Sequence, residues 1–375
     1  MARGAYDVLR FGNLFRMGVL WMVAIILSYL KLPFQKVCRS TAGVSFPRSA
    51  PENAPVNGFA CIVTGASSGI GKATAEALAL HGYHVILAGR SMSKLLEVQR
   101  ELTKKHGSIS MEALELDLCS LNSILSFKKT VETSMQNSQP ARQLQLLVNN
   151  AGILACSQRW TDDGLDSMMA SNYLGPYFLT QQLLPMLHQS PHARIVNVSS
   201  FTHRCVENLD IGEKQLAQGS MQSSWKGDWY RIAQIYETTK LCLVLFTYEL
   251  HRRLSETTAF PRVSVLAADP GIVKTNIMRE LPSWLEWFAH FVLRLVGLLQ
   301  GPSTGANAVI DAALAPKGLS GKYFFGGSGR TLRSSFLSFD SDLGRQLWET
   351  SLRVWSAVEE TKVTPVMRNL LRRQP

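Results

Sequence analysis

From Phe59 onward, short β-rich apolar runs alternate with stretches in which apolar residues recur every three or four positions. The apolar runs at 59–64, 83–88, 110–116, 144–149, 193–199 and 262–267 predict strands. The periodic stretches near 69–81, 91–106, 120–137, 162–189 and 234–254 predict helices. Strands separated by helical periodicity are what βαβ units on a parallel sheet require. No repeat of solenoid length occurs, and no second alternating block is large enough for another domain. The pattern therefore predicts a single doubly wound α/β domain with a parallel sheet over about 59–360.

The ends follow a different pattern. Residues 17–30 (MGVLWMVAIILSYL) form a fourteen-residue run without a charge, which as a helix spans roughly 21 Å against a hydrocarbon core of about 30 Å. Extended to 14–32 the run reaches nineteen residues, about 28 Å, if Arg16 and Lys31 snorkel from its ends. It reads as an uncleaved N-terminal hydrophobic anchor within 1–40, spanning or embedded in one leaflet. A cleaved targeting peptide and a core helix are the alternatives. Lys31, Lys36 and Arg39 stand between the run and the nearest small-x-small site, Ser40-Thr41-Ala42, which weakens cleavage. Arg3, Arg10 and Arg16 before the run balance Lys31, Lys36 and Arg39 after it, so orientation is not set by charge. Residues 41–58, with three prolines, read as a linker, and 361–375 as a basic tail.

Composition narrows the class. Of 375 residues, 46% are hydrophobic and 18% charged, which excludes a disordered chain. Six cysteines without a C-x-x-C pair speak against a zinc ribbon or disulfide scaffold, and no metal site is expected. The net charge of +11 sits largely at the ends: 1–58 hold seven basic residues against two acids, and 361–375 hold four against none. A basic excess confined to two termini fits membrane-surface tuning or solvated tails and makes nucleic acid a poor partner.

Candidate chemistry begins where the first strand runs into Thr64-Gly65-Ala66-Ser67-Ser68-Gly69-Ile70-Gly71 and a helix. Glycines there let the backbone approach a pyrophosphate, and the helix N-terminus offers free N–H groups and positive dipole charge. After the second strand, Arg90 stands where an acid would hold the ribose of NAD, and no Asp or Glu occurs from Gly82 to Lys94. With Ser91 and Lys94 nearby it suits the 2′-phosphate of NADP(H), with NAD(H) as the alternative. Four further segments follow in order: Leu116-Asp117-Leu118, Asn149-Asn150-Ala151-Gly152, Val198-Ser199-Ser200 and Tyr236-Glu237-Thr238-Thr239-Lys240. Alone, each has a bland reading. Together they resemble the short-chain dehydrogenase/reductase family, over about 59–330, and within it the retinol-dehydrogenase-like branch.

That resemblance implies a Rossmann-type sheet and a set of roles. Asn172, Ser200, Tyr236 and Lys240 would be catalytic. Gly65, Ser67, Ser68, Gly69, Ile70, Gly71, Arg90, Asp117, Leu118, Asn150, Tyr236, Lys240, Pro270, Gly271 and Thr275 would hold the cofactor. Ser200, the second serine of its pair, would hold the substrate oxygen, and Asn172 a water that links Lys240 to solvent. A phenol is too weak a base near neutrality; a lysine charge at about 4 Å is worth ~4 kcal/mol at an effective dielectric of 20, and with the nicotinamide's own positive charge this would bring Tyr236 near 7. Two features depart from the compact members: Glu237-Thr238-Thr239 replaces small residues between Tyr236 and Lys240, and 36 positions separate Ser200 from Tyr236. The inserted stretch 201–235, with Trp225 and Trp229, is expected to form a loop beside the substrate.

Residues 282–300 are apolar on most sides, with Glu286, His290 and Arg294 at four-residue spacing forming a single polar stripe. This stretch reads as a substrate lid or a helix resting on membrane, with Trp284 and Trp287 on substrate, or alternatively as ordinary packing. The expected function is a membrane-associated, NADP(H)-dependent oxidoreductase that interconverts an alcohol and a carbonyl on a retinoid, polyprenoid or steroid-like molecule, at the endoplasmic reticulum. A second copy of the chain is a candidate partner. The rival from another class is a catalytically idle NADP sensor on the same fold.

Overall fold

A computed structural model describes residues 18–31, 44–49, 58–139, 141–221, 231–257, 263–280, 283–295 and 297–371. The strands are β1 (Phe59–Thr64), β2 (His84–Gly89), β3 (Ser110–Glu115), β4 (Gln143–Asn149), β5 (Ala193–Val198), β6 (Val263–Asp269) and β7 (Lys322–Phe325). They form one sheet in the order β3-β2-β1-β4-β5-β6-β7, parallel throughout. The six expected strands are present within two residues at each end, and β7 is added beyond them.

Alternation along a strand sends successive side chains to opposite faces. In β1, Ala60 and Ile62 join one core cluster while Cys61 and Val63 join the other. The second of these faces is covered by α2 (Gly69–Leu80), α3 (Met92–His106) and α8 (Pro302–Ala313). The first is covered by α4 (Leu121–Asn137), α5 (Gly175–Gln189), α6 (Ile232–Thr257) and α9 (Ser341–Leu371). Local chemistry sets their limits. Ser120 caps α4 by accepting from the Ser123 N–H. Gly107 ends α3 at φ 70°, after Lys104, Lys105 and His106 have placed positive charge in its last turn. On α9, Trp348 and Trp355 pack edge-on against Tyr177 and Phe178. The helix continues to Leu371, so the backbone of 361–371, read as a tail, is helical.

Arg194 on β5 is buried, and its guanidinium donates to the carbonyls of Ala312, Ala313, Ala315 and Pro316 where α8 ends. A cation there answers the helix dipole and the orphan carbonyls together, although burial lowers its pKa to about 10.

Two expectations for the N-terminal region change. Residues 44–49, read as linker, dock on the domain: Ser45 bridges Arg330, the Phe46 N–H donates to the Gly329 carbonyl at 2.9 Å, and Arg48 pairs with the buried Asp311 at 2.6 Å. The apolar run forms a helix over 18–31, α1, with one face on the domain, where Ile25 and Ser28 are fully buried. Among the described residues no helix is long and apolar enough to cross a membrane.

Candidate active site

The strand order reverses between β1 and β4, and ligands of open α/β sheets bind in the crevice beyond such a switch point. The turn from β1 into α2 shapes one side of it. Gly65 and Gly69 have φ of 67° and 56°, a region that side chains disfavour. A Cβ on Gly71 would stand 2.4 Å from the Gly65 carbonyl oxygen and 2.5 Å from the Asn150 amide nitrogen. Asn150 closes the turn from the other side, donating from its amide to the Thr64 carbonyl at 2.8 Å and from its backbone N–H to the Thr64 hydroxyl at 3.0 Å. The first turn of α2 carries no acid, and the Ser68 side chain makes no capping bond, so its N–H groups stay available to an anion. Ser67, Ile70, Arg90, Asp117, Leu118, Pro270, Gly271 and Thr275 line the same cleft, which has a volume of about 1000 Å³. This cradle, with exposed Arg90 at its rim and no room for a Cβ beneath it, fits a dinucleotide phosphate backbone.

The reactive side chains meet beyond the ends of β4 and β5. Ser200 follows β5, and Tyr236 and Lys240 lie one turn apart on α6, all nearly buried. The Ser199 hydroxyl donates to the Lys240 carbonyl at 2.8 Å, which leaves Ser200 as the serine hydrogen-bonded to the Tyr236 phenol. His203 fixes the turn that carries Ser200. Its Nε2 accepts from the Ser335 N–H, so Nδ1 donates to the Ser200 carbonyl at 2.6 Å. Burial lowers its pKa to about 3, which keeps it neutral.

Asn172 sits in a π-helical segment, Ala170–Leu174, of the kind that recurs at functional sites. It is fully buried behind the cleft; its amide oxygen accepts from the Ile153 N–H at 2.8 Å, and its nitrogen donates to the Ile153 carbonyl and the Thr239 hydroxyl. Gly152 separates it from Lys240: a Cβ there would lie 3.4 Å from both polar groups.

The protein's own groups act on Tyr236 against the phenolate. The Tyr236 phenol is raised, not lowered, from its ordinary value: burial penalises the phenolate and the Asp269 carboxylate adds to the penalty, while Ser200 opposes them. The Lys240 ammonium donates to the Val198 carbonyl at 3.0 Å and stands 5.6 Å from the centre of the phenol ring. Burial lowers its own pKa to about 8, with Asp269 working against the shift. Asp269 is itself wholly buried, accepting from the Tyr323 hydroxyl and the Gly271 N–H, and burial raises it. From sequence, roles fell to its neighbours Pro270 and Gly271 and none to it.

The opposite wall of the cleft is apolar. Val19, Met22 and Val23 of α1 line it together with Val292 and Leu293 of α7 (Ser283–Leu295). Trp287, expected on substrate, instead lies 67% exposed and stacks on Phe291. The side chain of Trp284, and Trp225 and Trp229, lie outside the described residues. His290, on the predicted polar stripe, reaches the cleft lining.

Comparisons with known proteins agree with this arrangement. The short chain dehydrogenase family model matches residues 60–206. Human polyprenol dehydrogenase is 34% identical over 80% of this chain and 86% of its own length. Mouse retinol dehydrogenase 13 is 33% identical over 82% and 86%. Among solved structures, an uncharacterised protein from Mycobacterium paratuberculosis superposes with a TM-score of 0.60 at 29% identity, over 83% of this chain and 97% of that one. An angucycline C-6 ketoreductase with bound NADP does so at 0.57 and 22% identity, over 76% and 98%, a likeness of fold.

Proposed function

Because the chain belongs to the short-chain dehydrogenase family, an NAD(P)-dependent oxidoreductase acting on alcohols, we propose that its substrate is an alcohol or carbonyl on a long apolar molecule, with NADP(H) as the cofactor and a membrane surface as the working site. The observation that carries this reading is the pairing, in one cleft, of Ser200, Tyr236 and Lys240 with an apolar wall from α1 and α7. Human polyprenol dehydrogenase and mouse retinol dehydrogenase 13 carry lipophilic alcohols in their names. Arg90, Ser91 and Lys94 at the cleft rim favour a 2′-phosphate over a bare ribose.

The bound nicotinamide would supply or accept the hydride. The cradle of Gly65, Ser67, Ser68, Gly69, Ile70 and Gly71 would hold its phosphates, with Asp117, Leu118, Asn150, Pro270, Gly271 and Thr275 on the flanks. The protein handles the proton. The Ser200 hydroxyl holds the substrate oxygen, and Tyr236, kept as a phenol by burial, donates its proton to that oxygen during carbonyl reduction. Lys240, charged below about pH 8, stabilises the phenolate so formed. Asn172 would carry a water toward Lys240, and the missing side chain of Gly152 leaves the space between them.

Exposed apolar residues on α1 (Val23, Leu27, Leu30) and α7 (Trp287, Phe291, Leu295) support a membrane surface near the cleft, with α1 meeting lipid on the face it turns away from the domain. The deciding assay is oxidation of NADPH by the detergent-solubilised protein with retinal, a polyprenal and a ketosteroid, with NADH alongside. Turnover with NADPH on at least one is expected. Silence on all three, with NADPH still tightly bound, would replace this reading with an idle sensor.

A further inference from the structure

The departure from small residues between Tyr236 and Lys240 has a structural partner. Glu237 is 4% exposed, and a carboxylate taken so far from water needs donors. The indole N–H of Trp21 supplies one at 2.7 Å, across 216 positions of chain. The same indole packs on the ring of Tyr236 with 5.6 Å between centres. One and two turns further along α1, Ile25 and Ser28 are fully buried, and Ile25 clusters with Phe201, the residue after Ser200. At its far end Tyr29 accepts from the Gln300 amide at 2.6 Å and meets Phe325 edge-on.

We infer that residues 18–31 are a wall of the active-site cleft, latched by Trp21 to Glu237, and that Trp21 is the residue that positions an extended apolar substrate against Tyr236. The inference rests on reading the cleft as a carbonyl-reducing site for apolar molecules. A charge-assisted bond to a buried carboxylate is stronger than a neutral one. It fixes the indole plane beside the phenol and leaves Val19 and Met22 on the lining. A long chain entering past these side chains is held along its length, whereas a short aldehyde needs only Ser200 and Tyr236. The segment that composition marks as an anchor thereby enters substrate selection.

The test uses the full chain in detergent and two independent readouts. Hydrogen exchange over 18–31 is measured in the wild type, Trp21→Phe and Glu237→Gln. Both variants lose the charged hydrogen bond, and exchange at least tenfold faster is expected; unchanged exchange in both would overturn the latch. Trp21→Ala is then compared on retinal and on a short aldehyde, by KM and kcat, with retinal affinity also measured by calorimetry. Retinal KM and Kd are expected to rise tenfold or more with kcat nearly constant and the short aldehyde unaffected, and Trp21→Phe should restore most of the retinal affinity. Equal changes for both aldehydes, or a parallel fall in NADPH affinity and Tm, would reduce Trp21 to a packing residue. A wild type that turns over neither aldehyde but loses retinal binding in Trp21→Ala would sink the oxidoreductase reading and keep the wall.

Discussion

The polar half of the cleft is shaped by segments of a few residues, each nearly self-sufficient, while the apolar half joins Trp21 to Glu237 across 216 positions and Gln300 to Tyr29 across 271. In the first, Gly65 and Gly69 need their residue type for backbone reasons and Gly71 for the space it leaves. In the second, no backbone demand selects Val19 or Met22; any apolar side chain of similar volume could stand there. A cofactor common to a family is thus held by geometry that sequence must preserve, and a particular substrate is met by packing that can vary.

The sharpest way to break the comparison is Tyr236→Phe, which touches chemistry without touching either half's shape. Loss of one general acid lowers kcat by about 10²–10⁴-fold, and the phenyl ring still packs on Trp21. Turnover should collapse in the NADPH assay with Tm unchanged and NADPH still bound. Near-normal turnover in a folded variant would remove the proton-donor role. Next in size is the outer surface of the apolar half. Leu27 and Phe291 are 48% and 52% exposed, and replacing both with Ser should lower partitioning onto liposomes about 100-fold, taking roughly 1.5 kcal/mol for each apolar side chain withdrawn from the bilayer. Equal flotation of variant and wild type would place the membrane contact elsewhere. The polar half is probed by Arg90→Asp: losing a charged hydrogen bond of about 2 kcal/mol corresponds to about 30-fold weaker NADPH binding, while NADH should bind no worse. Parallel losses for both nucleotides would deny Arg90 the 2′-phosphate.

What could be read from sequence follows the same division. The strands were visible because sheets buried on both faces demand continuous apolar runs, and the glycine turn because its spacing is a backbone requirement. β7, four residues long, carries too little periodicity to stand out. The burial of Arg194 under the end of α8 had no signal at all, since its acceptors are backbone carbonyls of Ala312, Ala313, Ala315 and Pro316. The apolar run at 17–30 was legible as apolar but not as to what it covers: lipid and a cleft wall make similar demands on composition. Trp287 shows the limit from the other side, because an aromatic on a periodic stretch does not disclose which face meets the cleft. Asp269, next to the expected cofactor residues Pro270 and Gly271, drew no role from sequence, because its charge acts through burial near Tyr236, a three-dimensional quantity.

The smallest expected effect concerns protons, and it links the two halves through Lys240. Burial holds its folded-state pKa near 8, below the 10.5 of a lysine free in water. As pH rises past 8 the folded protein loses a charge that the unfolded chain keeps up to about 10.5, so the unfolded state binds more protons there and this group's contribution to stability rises with pH. Activity runs the other way. Without the ammonium, nothing offsets the phenolate left when Tyr236 donates its proton beside the Asp269 carboxylate. Reductive kcat/KM should be level below about pH 7 and fall by up to about tenfold per pH unit above 8, while Tm shows no matching drop between 8 and 9. Asp269→Asn removes the carboxylate that works to raise Lys240, so its falling limb should begin at lower pH. A limb that stays in place, or moves up, would mean that a group other than Lys240 governs the proton. Trp21→Phe should leave the limb where it is, because the indole acts on the substrate's apolar length and not on the titrating pair.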